Sequence, residues 1–316
     1  MDKYLQVKKK HHYIWSHYLK QWAVNKNVFY LTKNGKIASD SVKGLAYEDG
    51  FYKIHPLSKQ DVDYILACIR VFPSPYLRYL HIRYLSQFVQ LSHIYESLNE
   101  SDESDLRLKK IIEQNSLENL YTNFEGEILK IHQALINGTP SILQNNHSML
   151  KFCIYIGHQM TRTKAFRDRT IGVIRTHFSE DLKTYIDLHN RNYWFISYML
   201  GFNIGIDLFR TRASDVHIFI TNNTSVPFIT SDSPIINIHK CLKNKAPLEA
   251  PTYADFFFPI SPKYAYMINQ SNDYNSLAKN ISEEEVRLLN TRIASRRQQT
   301  LFGLTRESIQ ESLKQK

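Results

Sequence analysis

Apolar positions recur along this chain in two rhythms. From Leu77 they step by threes and fours through Leu80, Tyr84, Phe88, Leu91, Tyr95 and Leu98, the stripe of one long helix. Leu108, Ile111, Ile112, Asn115 and Leu120, continued by Phe124, Ile128, Ile131 and Leu135, predict another. The acidic break at 101–105 separates the two, and Asn137-Gly138-Thr139-Pro140 ends the second. Tyr18, Leu19 and Trp22 lie at helical spacing and give a short early helix an aromatic face. A helix over 61–70 has Ser58 or Asp61 as its N-cap candidate. Another over 141 to about 169 carries Met149, Cys153, Ile156 and Met160 on its apolar side, with His158, Gln159, Arg162 and Arg169 as unusual polar positions. Two further helices are expected over 171–188 and 193–210, the latter apolar nearly all round and so a central buried helix.

The β rhythm marks both ends. Runs at 28–31 and 36–38 flank Lys33-Asn34-Gly35, a strong hairpin signal, and 51–54 is read as a further strand. Residues 216–239 pack three short β runs around a turn at 222–225 and a break at Ser231-Asp232-Ser233-Pro234. Runs at 255–260 and 265–268 follow, then a helix from a Ser282 capping box with Glu285 at its third position, running to about 297. Residues 300–304 return to the sheet, and a tail helix covers 307–316. Strands do not alternate with helices, so the class is α+β, with a mixed or antiparallel sheet built from the N-terminal hairpin and the C-terminal strands. One domain is expected: a β-rich start (1–57), a helical region (58–212) and a β-rich region with one helix (213–305).

Composition narrows the function classes. A chain of 316 residues, 43% hydrophobic, can bury a large core. Its three cysteines, Cys68, Cys153 and Cys241, are far apart, which argues for a reducing, cytoplasmic setting and against a disulfide framework or structural zinc. No apolar run is long enough to cross a bilayer, so no membrane partner is expected. The formal charge of +10 raises nucleic acid as a partner. Phosphate-loop, dinucleotide, zinc-protease, nucleophile-elbow and kinase patterns are all missing.

The chemistry-bearing candidates are few. Asp232, between two serines and before Pro234, either closes a local turn or serves as a metal-binding or His-orienting carboxylate. His12 can act as acid, base or ligand, or be an ordinary surface residue. Gln159 and Arg162 share a helix face, where Arg162 either forks onto a phosphate or makes a buried ion pair, with Asp232 the expected partner. Ser231 and Asn290 are candidate substrate contacts. Arg167, Arg292 and Arg296 belong to a basic set that is either a polyanion-binding face or a solvated one.

His12-Tyr13-Ile14 with Tyr18-Leu19, His158-Gln159-Met160-Thr161-Arg162-Thr163, Phe228-Ile229-Thr230-Ser231-Asp232-Ser233-Pro234, Phe258-Pro259-Ile260-Ser261 and Leu289-Asn290 stand in an order that resembles the bacterial domain-of-unknown-function family 4238. Trp15 stands where that family has Pro, and Trp22 where Phe is common. The resemblance singles out His12 among its neighbours and implies a bacterial-type intracellular protein; it confers no reaction. The residues themselves lead to a nuclease-like effector on nucleic acid, of the toxin or defence kind, with His12 as acid or base, Arg162 on phosphate and Asp232 orienting His12 or holding a divalent metal. The alternatives are a non-catalytic nucleic-acid or protein-binding module whose polar cluster is structural, and a nucleotide-handling transferase. Metal dependence and oligomeric state stay open.

Overall fold

The computed structural model describes residues 5–177, 183–244 and 251–314. The chain opens with β1 (Lys10–His12), α1 (Ser16–Leu19), a 3-10 turn (Lys20–Trp22), the hairpin strands β2 (Asn27–Leu31) and β3 (Ile37–Ser41), and β4 (Tyr47–Asp49). The hairpin register, Leu31 opposite Ile37 and Asn27 opposite Ser41, closes around Gly35, whose φ of 74° is the left-handed value the turn requires. The strand expected over 51–54 lies earlier, at β4, where His12 pairs with Tyr47 and Lys10 with Asp49. Gly50, at φ 66°, turns the chain there, so Tyr52 and Ile54 enter the helical core instead.

The helices follow as α2 (Lys59–Arg70), α3 (Pro75–Ser97), α4 (Glu103–Ile136), α5 (Asn146–Thr161), α6 (Lys164–His177) and α7 (Lys183–Thr211). Ser58 caps α2 in a reciprocal box with Asp61, and Asp102 caps α4 through the N–H groups of Ser104 and Asp105. The single helix expected from 141 to 169 is two. Arg162 and Thr163 interrupt it, the Tyr193 hydroxyl donates to the freed Thr161 carbonyl at 2.7 Å, and Thr163 Oγ1 accepts the N–H of Phe166. The helix expected over 171–188 divides between α6 and α7, and its middle falls outside the described residues.

The apolar segment at 193–210 lies within α7; 193–197 are buried as the pattern predicts, whereas the second half is only partly covered, with Asp207 and Arg210 exposed. Glycines allow it to lie almost backbone to backbone against α5: a β-carbon on Gly157 would sit 2.0 Å from the Gly201 carbonyl oxygen, and one on Gly205 2.4 Å from Ile154 Cα.

The C-terminal region supplies β5 (Val216–Thr221), β6 (Thr230–Ser231), β7 (Ile236–Asn237), β8 (Asp255–Pro259), β9 (Tyr264–Asn269), α8 (Glu283–Arg296), β10 (Leu301–Gly303) and α9 (Arg306–Lys314). The last two residues of the expected tail helix lie outside the described residues. The box of Ser282 with Glu285 opens α8. Two four-stranded sheets form, antiparallel throughout: β3-β2-β10-β6, which joins the N-terminal hairpin to C-terminal strands, and β5-β9-β8-β7. The fold is α+β. One apolar cluster seats Tyr18, Leu19 and Trp22 against α4, α5 and the second sheet; another lies between the sheets and α8; a third joins α2, α3, α4 and α7.

A recessed cleft beneath the first strand

The basic run at residues 8–12 is anchored to the helical region. His11 is fully buried, its Nδ1 2.8 Å from the Tyr52 backbone N–H and its Nε2 2.9 Å from the Lys8 carbonyl. Lys8 reaches α4, its ammonium 2.6 Å from Asn119 Oδ1. This anchoring fixes β1 across α4 and places the next residue, His12, at a recess of about 160 Å³. His12 shares the recess with Trp15, Glu118, Tyr121, Glu125 and Arg162. At Trp15 the backbone takes φ −57° and ψ 123°, values open to a proline.

Arg162 occupies the C-cap of α5 and is 2% exposed. Its Nη2 donates to Glu125 Oε1 at 2.6 Å and to Gln159 Oε1 at 3.2 Å, and the guanidinium lies 5.0 Å over the Tyr121 ring. The expected partner, Asp232, is replaced by Glu125, because α4 runs alongside the helix end that carries Arg162. Burial works to lower the Arg162 pKa, and the Glu125 carboxylate beside it overrides this, so the guanidinium stays charged. Gln159 also donates to the Tyr13 carbonyl at 3.3 Å, tying the residue that follows β1 to the arginine.

Besides its effect on Arg162, burial raises the Glu125 carboxyl, with Arg162 opposing, and raises the Tyr121 hydroxyl. Two further groups on the recess are displaced from their usual titration ranges. Burial, with Glu125 adding to it, raises the Glu118 carboxyl to about 7, against weaker pulls from Arg162 and Lys8. Burial, then Arg162 and Lys10, lowers the His12 imidazole, and the backbone of Lys43 opposes them. His12 Nε2 and Arg162 Nε are both buried without a hydrogen-bond partner, an arrangement that costs stability unless something supplies one.

Asp232 does not line this recess. It is 3% exposed, and its carboxylate accepts the backbone N–H groups of Gln298 at 2.9 Å, Gln299 at 2.7 Å and Thr300 at 3.0 Å. Burial raises its carboxyl, with those three amides and Arg297 opposing. Its observed work is to hold the end of α8 against β6. Ser231 exchanges hydrogen bonds with the backbone of Ser233, and Asn290 holds the Ile229 N–H and the Pro227 carbonyl. Arg167 pairs with Glu48 and Asp168 and lies over Phe51. Neither Arg292 nor Arg296 lines the recess; Arg296 is exposed and acts on Arg169. Of the sequence candidates, His12 and Arg162 therefore meet, Gln159 braces them, and the others are spent elsewhere.

Glu118 and Glu125 are not singled out by the sequence pattern. Their spacing with Tyr121 and Thr122 puts all four on one helix face, which is the signal that was present. A larger depression of about 480 Å³ lies at the loops near Asn222 and Pro262, and Lys263 is the charged side chain on it. Among the described residues, no group of three or more His, Cys, Asp or Glu side chains is placed to hold a metal ion, and no helix is long and apolar enough to cross a membrane.

The fold and recess define an α+β protein with two four-stranded antiparallel sheets and a His–Glu–Arg cleft formed where its first strand crosses the helices. Residues 10–307 match the family model described as Protein of unknown function (DUF4238), and the chain belongs to that family. No curated protein and no solved structure matches it significantly.

Proposed function

We propose that the chain is a cytoplasmic phosphodiesterase of the ribonuclease type, with the recess beneath β1 as its centre. The observation that carries the reading is the meeting of His12, Glu118 and Arg162 on one recess, with the acid and the base driven apart in affinity for protons. At neutral pH the imidazole is free to accept a proton while a large share of Glu118 still holds one. In this reading His12 takes the proton of an RNA 2′-hydroxyl as the 2′-oxygen bonds to phosphorus. Glu118 gives its proton to the departing 5′-oxygen as the other P–O bond breaks. The products are a 2′,3′-cyclic phosphate and a 5′-hydroxyl end. Arg162 stabilises the charge gathering on the non-bridging oxygens. Lys8 and Lys10, close enough to act on Glu118 and His12, favour an anionic substrate at this spot.

One observation favours a second reading. Arg162 already spends Nη2 on Glu125 and Gln159, as a guanidinium in a structural polar core of a binding module does. Incubation with an RNA oligonucleotide, with product ends read by mass spectrometry, separates the two. The hydrolase reading expects cyclic-phosphate ends, cleavage reduced about 10²–10⁴-fold in His12→Ala and Glu118→Gln, and both variants folded. Activity rises as pH passes the lowered His12 value and falls above about 7 as Glu118 ionises. RNA bound but left intact by the wild-type chain supports the module and refutes the hydrolase.

A further inference from the structure

A second cleft, of about 250 Å³, lies between α3 and α7, and nothing in the proposed reaction uses it. Its wall is aromatic and ordered. The rings of Tyr84 and Tyr198 stack at 4.2 Å with planes 19° apart, and Tyr198 and Phe202 are 6.4 Å apart at 20°. Three nearly parallel rings thus present a platform of the kind on which planar heterocycles stack. Polar groups converge on the same space. Arg83 and Gln87 line it, as does His81, whose Nε2 is 2.7 Å from Asn203 Oδ1. The Tyr84 hydroxyl on this wall is buried with no partner.

We infer that this cleft binds a nucleotide-class ligand: a planar nitrogen heterocycle with one anionic group. The heterocycle extends the Tyr84–Tyr198–Phe202 stack. Its edge meets the Gln87 amide, which can both donate and accept. The anionic group meets Arg83, whose own ring contact, with Tyr79 at 5.9 Å, leaves its charge without a carboxylate partner among the described residues. The volume is just under the range of about 300–1,000 Å³ in which small-molecule sites fall, which suits a mononucleotide part rather than a polymer. A chain of rings joins the site to the first recess: Tyr198 contacts His158 at 4.9 Å, and His158 contacts Tyr121, a wall of that recess, at 5.7 Å.

The test is calorimetric titration of the full chain with adenosine monophosphate, with adenosine and with inorganic phosphate. Saturable binding of the monophosphate is expected, stronger than that of adenosine. Arg83→Ala should weaken it about tenfold or more and remove the advantage of the phosphate, while Phe202→Leu should weaken both ligands. His12→Ala should leave the binding unchanged, which separates this site from the first recess whatever becomes of the ribonuclease reading. Both Arg83 and Phe202 have solvent-exposed surface, and a melting curve confirms that each variant is folded. No binding at millimolar ligand, wild-type affinity in both cleft variants, or loss confined to His12→Ala overturns the inference.

Discussion

Glu118→Gln separates stability from activity at one atom. The folded chain holds the Glu118 proton up to about 7, while an unperturbed carboxyl releases it near 4.5. Between those values the unfolded chain has lost the proton and the folded chain has kept it. Stability from this group therefore falls as pH rises through that window and is flat above it. At 1.36 kcal/mol per pH unit the loss is about 3 kcal/mol, an upper figure because the side chain keeps some contact with solvent. Glutamine is always neutral and escapes the loss. For 316 residues the unfolding entropy is about 0.7 kcal/mol/K, so the variant should melt about 5 °C above wild type near pH 8 and level with it near pH 5. Paired melting curves at the two pH values read this difference directly, and other groups that titrate cancel between the two proteins. The same variant should cleave RNA about 10²–10⁴-fold more slowly, having no carboxyl proton to give. A stability gap that is equal at both pH values would refute the claim that the cleft holds a proton on Glu118.

Two further substitutions test the polar groups around the cleft. Asp232→Ala strips the acceptor from three backbone N–H groups, so urea denaturation should show a loss of about 3 kcal/mol, while turnover per folded molecule is unchanged; full stability with lost turnover would return Asp232 to the reaction. Glu125→Gln leaves the buried Arg162 without its counter-charge and should cost about 3–5 kcal/mol, much of it recovered in the Glu125→Gln, Arg162→Met pair; an additive double variant would show the pair does not act as a unit.

The elements were largely legible because their signals are local. Asn34-Gly35 closes a hairpin, Ser282 and Glu285 open a helix, and the step of threes and fours from Leu77 is one face of α3. The break in the α5–α6 segment was not, since neither Gly nor Pro makes it. The Tyr193 hydroxyl and Thr163 Oγ1 satisfy the backbone there, and Tyr193 comes from a distant helix. That break is what ends α5 at Arg162 and lets the guanidinium reach Glu125, so the missed boundary and the missed partner are one error. The site divides the same way. His12 and Arg162 are residue types that attract notice anywhere, and the fold brings them to one recess. Asp232 attracts the same notice from its Ser-Asp-Ser-Pro setting, but what a carboxylate does depends on which donors arrive, and the three amides come from 66 to 68 residues further on. Glu118 and Glu125 attract none, because a helical glutamate is ordinarily solvated. Only the strand laid across α4, held by His11 and Lys8, turns that ordinary face into the interior of a cleft. The raised Glu118 carboxyl is thus made by tertiary burial of a common residue, and no local pattern could have marked it.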